Sequence, residues 1–235
     1  MKKKLIIFFL AVPLLILIYF LTYKEKYTYL ALGDALAKGH TPFDTYSTSY
    51  VDYVYDSLKS KYQDITMNKD YIDEDLRIKD LTSLITNTKN ESNYLPRLIK
   101  ESSIITISIG SEELFSKIRS NNNINNKQNY IFIDDMLKDL ESLLKEIKKL
   151  TKSPIYIIGY YSPMSISENN KEGITALFDY IDKKFYDLET DNVHYVDINE
   201  GFINNSSYLP RTNNAFPSLE GYSYIANRII EKIES

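Results

Sequence analysis

Short apolar runs alternate along most of the chain with longer stretches whose apolar residues recur every three or four positions. Residues 27–32, 104–109, 155–160 and 193–198 have the length and β-branched content of buried strands, and 65–68 is a weaker fifth. Between them, 50–62, 76–86, 131–150, 172–188 and 219–233 have the helical period. The clearest stripe joins Ile133, Met136, Leu137, Leu140, Leu144 and Ile147 at spacings of three and four. Strand and helix in alternation predict a parallel sheet with helices on both faces, a single α/β domain. The polar tract SNNNINNKQN, residues 120–129, reads as a surface loop.

The first 26 residues follow a different rule. After three lysines in Met1–Lys4, residues 5–23 carry no charge, and Thr22 and two Tyr are the polar interruptions. As a helix, these 19 residues would span roughly 28 Å, the thickness of a bilayer's hydrocarbon layer. A cleaved signal peptide has a shorter apolar core that ends at small residues, whereas this run is followed by Thr22-Tyr23-Lys24-Glu25-Lys26. The reading is therefore a membrane anchor, 1–26, with a transmembrane helix at 5–23. The leading lysines place the N-terminus in the cytoplasm and residues 27–235 outside the membrane.

Charge narrows the partners. The anchor holds five Lys and one Glu, so 23 basic and 31 acidic residues remain, a net charge of −8 on the outer domain. Such a surface argues against nucleic acid, whose phosphates require a basic face. The chain has no Cys, two His (His40 and His194) and seven Gly. Thiolate nucleophiles and Cys-ligated metals are excluded, and His-based sites are restricted. The reading includes no metal and no cofactor. The 21 Tyr have two readings. Tyr46, Tyr160, Tyr161, Tyr208 and Phe216 would suit an aromatic cleft for sugar rings or acyl chains. Alternatively, a chain rich in Ile, Lys, Asn and Tyr reflects the composition of low-GC, Gram-positive bacteria, the commoner explanation.

In parallel sheets the ligand site lies beyond the C-terminal strand ends. There the chain reads Gly33-Asp34-Ala35-Leu36 after the first strand, Gly110-Ser111-Glu112-Glu113 after the third, and Phe216-Pro217-Ser218-Leu219-Glu220-Gly221-Tyr222 near the end. In this order and at these places the blocks resemble the SGNH/GDSL hydrolases, an esterase and lipase superfamily. The resemblance spans essentially all of 27–235. It implies a flavodoxin-like three-layer α/β/α fold with a parallel five-stranded sheet, and a Ser nucleophile, a His base oriented by Asp, and Gly and Asn oxyanion donors.

Carried over residue by residue, that chemistry is missing. Ala35 stands at the nucleophile's place, Phe216 at the base's, Asn213 at that of the orienting Asp, and Glu112 at that of the oxyanion Asn. No Gly lies between Gly39 and Gly110 to supply the second-block donor; Asp75 is its nearest counterpart. Gly33, Asp34, Ala35, Gly110, Ser111, Glu112 and Phe216 remain candidates for lining a cleft. The expectation is a catalytically inactive, membrane-anchored pseudo-esterase binding a cell-envelope glycan, lipid or protein. The alternative is an active envelope esterase using a relocated Ser111/His40 pair; otherwise Ser111 is a turn residue and His40 a loop residue. His194 reads as a partly buried structural residue, and Asp34, Glu112 and Glu113 as a weak cation candidate, because adjacent helical side chains diverge.

Overall fold

The computed structural model describes residues 26–87, 94–120, 127–162, 171–211 and 214–235. The run 5–23, expected to be a transmembrane segment, and Asn213 lie outside these residues. In chain order the elements are β1 (Tyr27–Gly33), α1 (Ala35–Lys38), α2 (Tyr50–Lys61), β2 (Ile65–Ile72), α3 (Ile78–Thr86), α4 (Leu95–Glu101) and β3 (Ile104–Ser108). They continue with α5 (Ser111–Ser120), α6 (Lys127–Leu150), β4 (Ile155–Ile158), α7 (Lys171–Tyr186), β5 (Val193–Val196), α8 (Asn199–Asn204) and α9 (Leu219–Glu234).

All strand pairs are parallel, in the order β2-β1-β3-β4-β5. Right-handed crossovers then decide the faces. The step from β1 to β2 runs one way across the sheet and the later steps run the other way, so α2 lies on one face and α3 to α7 on the opposite one. The chain returns after β5, and α9 packs against α2, while α3 and α4 pack on α6 and α6 on α7. The core follows: β3 and β4 are buried along their whole length, and the apolar stripe of α6 faces inward. Helix starts are chemically specified. Ser49 and Asp52 form a reciprocal cap on α2, and the Ser218 side chain accepts from Gly221 N–H at the start of α9.

The structure extends the sequence reading in several places. β2 continues to Ile72, with one extra residue opposite the step from Leu30 to Leu32 of β1, a bulge on an edge strand. Helices α1, α4, α5 and α8 had no counterpart in the periodicity. The polar tract is not wholly loop, because α6 starts at Lys127 and buries Asn129.

Candidate functional site

The site begins where β1 and β3 end side by side. Gly33 is required by close approach: a Cβ there would sit 2.3 Å from Ser108 O and 2.8 Å from Ala37 Cβ. Asp34 N–H donates to Ser108 O at 3.0 Å. The Asp34 side chain then ties three pieces together. Oδ1 accepts Leu36 N–H (3.1 Å), capping α1, and Oδ2 accepts Ser111 N–H (3.2 Å) and Ser111 Oγ–H (2.9 Å) at the start of α5. Burial pushes this carboxyl up to about 6, against the three hydrogen bonds, which favour the charged form. Gly110 turns the chain after β3 at φ +90, and a Cβ there would meet Tyr160 Oη at 2.7 Å.

Beside this staple opens a cleft of about 730 Å³ at the C-terminal strand ends. The structure brings Asp34, Ala35, Gly110, Glu112 and Phe216 together in its lining, with His40 and the segment Glu74 to Arg77 after β2. One wall is aromatic. Phe216 N–H donates to Asn214 Oδ1 at 2.9 Å, and the carbonyl of Ala215 accepts Tyr161 Oη–H at 2.6 Å, fixing the loop. The Phe216 ring then lies 4.1 Å from that of His40, whose other neighbour is Tyr46 at 5.2 Å. His40 Nε2 is 4.0 Å from Asp44 Oδ1, which also accepts Asn214 Nδ2–H at 3.3 Å. Asp44 has φ 55 and is the one non-glycine residue with positive φ among those described. Tyr46 donates to Glu74, and Lys38 lies over the Tyr46 ring at 4.9 Å. The opposite side is charged. Glu113 is held above its usual carboxylate range by burial, opposed by the nearby Arg77.

Among the described residues, the expected reactive groups are not brought together there. Ala35, 2% exposed, offers a methyl group. Ser111 is 3% exposed and its hydroxyl is engaged by Asp34, while His40 faces Asp44 and two rings, so the structure does not join Ser111 and His40 as a nucleophile and base. The cation reading for Asp34, Glu112 and Glu113 meets a similar obstacle, since Asp34 commits both oxygens to protein donors. Asp75 lines the cleft, and its N–H donates to Asp73 Oδ1 at 3.1 Å.

Of the tyrosines expected in an aromatic cleft, only Tyr46 borders the wall. Tyr160 and Tyr161 are buried and donate to the carbonyls of Ile109 and Ala215, and Tyr208 stacks on Tyr224 at 5.1 Å. The rings of Tyr160 and Tyr161 joined the core, with each hydroxyl finding a backbone acceptor. His194 is half-buried against Tyr156, at 5.1 Å. The sequence reading expected Asp34 to bond the N–H groups of its own loop, as it does at Leu36, but missed its link to Ser111 and the place of His40 beside Phe216. The Asp-before-helix pattern at 34 was a legible capping signal, but no spacing rule pairs His40 with Phe216.

A parallel α/β sheet with a cleft lined by the ends of its first three strands and the loop before its last helix is the frame of an SGNH-type hydrolase. The GDSL-like Lipase/Acylhydrolase family model matches residues 29–229, and the chain belongs to that family. Among solved structures, the lipase Lip_vut3 from a goat rumen metagenome superposes with a TM-score of 0.74 at 15% identity, covering 88% of this chain and 97% of that one. Axe2, an acetylxylan esterase from Geobacillus stearothermophilus, gives a TM-score of 0.60 at 17% identity over 90% and 96% of the two chains. At these identities the likeness is one of fold. A search of curated protein sequences finds no match.

Proposed function

We propose that this protein is a membrane-anchored, extracytoplasmic binding module built on the GDSL hydrolase fold, which holds a cell-envelope ligand or partner in its cleft without hydrolysing esters. One observation carries the reading: Ala35 and Phe216, which match the nucleophile and base positions of the family's motifs, line one cleft, the Phe216 ring packed on His40. Neither residue can attack a carbonyl or take a proton. Glu112 at the oxyanion position works in the same direction. Triad variants of such enzymes keep some rate over water because the oxyanion hole survives, and here the Asp75 N–H and Glu112 both depart from that role. What the fold needs at this place is retained: Gly33, the Asp34 staple, and Gly110. Anchoring rests on the 5–23 run; among the described residues no helix is long and apolar enough to cross a membrane.

The test is turnover of short acyl esters by the purified full chain in detergent, alongside a Ser111→Ala, His40→Ala variant. The expected rate is background for both. Turnover above background that disappears in the variant would replace this reading with that of a relocated esterase.

A further inference from the structure

We infer that the domain stands on the membrane by the N-terminal ends of its strands and opens its cleft away from the bilayer, so that its ligand is a glycan of the envelope rather than a lipid. This rests on the anchored binding module proposed above.

The tether sets the orientation. Residues 24–26 alone separate the apolar run from Tyr27, the first residue of β1. Fully extended, three residues reach about 10 Å. The cleft lies at the other end of β1, whose seven residues rise about 20 Å. Turning the domain over would have to carry Tyr27 to the far side of the sheet, at least twice the reach of the tether. The cleft therefore stands off the surface by about the length of a strand.

The end that meets the membrane carries an aromatic pair among charges of both signs. Tyr27 and Tyr62 are half-buried there, with ring centroids 3.8 Å apart. Lys26, Lys61 and Lys152 are exposed on the same end, at the start of β1, the last turn of α2 and the turn before β4, among exposed Asp64, Glu101 and Asp191. Tyr and Lys are residues that sit comfortably at a headgroup layer. The cleft has a different character. Asp75, Arg77, Glu112, Glu113 and Lys117 line it beside Leu76 and Phe132, and Glu74 accepts from Tyr46 at the edge of the Phe216–His40–Tyr46 wall. An acyl chain placed there would desolvate charges without compensating them. A sugar ring can lay its C–H face on the aromatic wall and direct its hydroxyls to the carboxylates and the guanidinium. A site held a strand's length above the bilayer also encounters wall polymer more readily than acyl chains.

The cysteine-free chain allows a direct test. Full-length Lys152→Cys and Phe43→Cys variants are each labelled with a fluorophore and reconstituted in phosphatidylcholine–phosphatidylglycerol vesicles carrying a headgroup quencher in both leaflets. Phe43 is 60% exposed on the loop that bears His40 and Tyr46. The label at 152 is expected to be quenched at least threefold more than that at 43; equal or reversed quenching overturns the orientation. A chain that fails to float with vesicles refutes the anchoring itself, a distinct result. For the ligand, full-length wild type and a Tyr46→Ala, Phe216→Ala variant are sedimented with insoluble peptidoglycan and, separately, floated with the same vesicles in the presence of excess lipid. The glycan assignment predicts at least fivefold less peptidoglycan binding by the variant, with unchanged flotation. Equal sedimentation of the two, or none by wild type, overturns it. Ester turnover in the assay above would instead count against the non-hydrolytic reading.

Discussion

Asp34 offers the sharpest test of the staple, because pH separates its charge from its hydrogen bonds. The carboxyl is buried and held near 6 in the folded state, against 3.8 as its ordinary value. Between these values the folded state binds the proton more tightly than the unfolded one, so the group's contribution to stability is complete at acid pH and declines as pH rises through 6. At 1.36 kcal/mol per unit, the loss between about pH 4.5 and about pH 7.5 comes to about 2 kcal/mol. In Asp34→Asn the amide still caps Leu36 N–H, but its NH₂ faces Ser111 N–H, and the lost acceptor costs about 1–3 kcal/mol at every pH. The gap between wild type and variant should therefore be widest at acid pH and narrow by about 2 kcal/mol over that range. Groups common to both proteins, such as Asp182, also held near 6 by burial, cancel in the difference. Urea unfolding of residues 26–235 at several pH values measures it. A constant or widening gap would mean that Asp34 is not the buried, proton-holding staple described.

Two further outcomes follow from the same geometry. Gly33→Ala, whose Cβ would lie 2.3 Å from a backbone oxygen, should lower stability by at least about 3 kcal/mol, as overpacking at an unyielding site does, read as a fall in thermal midpoint. Ala35→Ser alone should leave ester hydrolysis at background; adding Phe216→His and Asn213→Asp should raise it, and adding Glu112→Asn should raise it about 100-fold more, as restoring an oxyanion donor does. Equal rates with and without the Glu112→Asn change would show that this position does not face the reacting oxygen.

The sheet was legible because its strands are buried on both faces and read as continuous apolar runs. What escaped has physical causes. β2 is an edge strand whose second half, with Lys69 and Asp70 exposed, carries little apolar signal. α4 has seven residues, too few for a period, although Pro96 in its first turn marks its start. α5 displays Leu114, Phe115 and Ile118 at helical spacing, yet its first residues were read as a motif. At the site, Ala35, Glu112 and Phe216 share one cleft, the first two because each follows a strand end and the third through the loop before the last helix. The His40–Phe216 contact joins loops 176 residues apart in sequence, and only the folded chain brings them together.

The bulge in β2 acquires a use if the chain is held on a surface. Confinement to two dimensions crowds identical molecules with their sheets upright, the arrangement in which exposed strand edges would zip into continuous ribbons. At one border, β5 offers four residues; at the other, the extra residue of β2 and its exposed Lys69 and Asp70 spoil the register a neighbour would need. A population of such domains can therefore be dense on a membrane and still remain separate molecules.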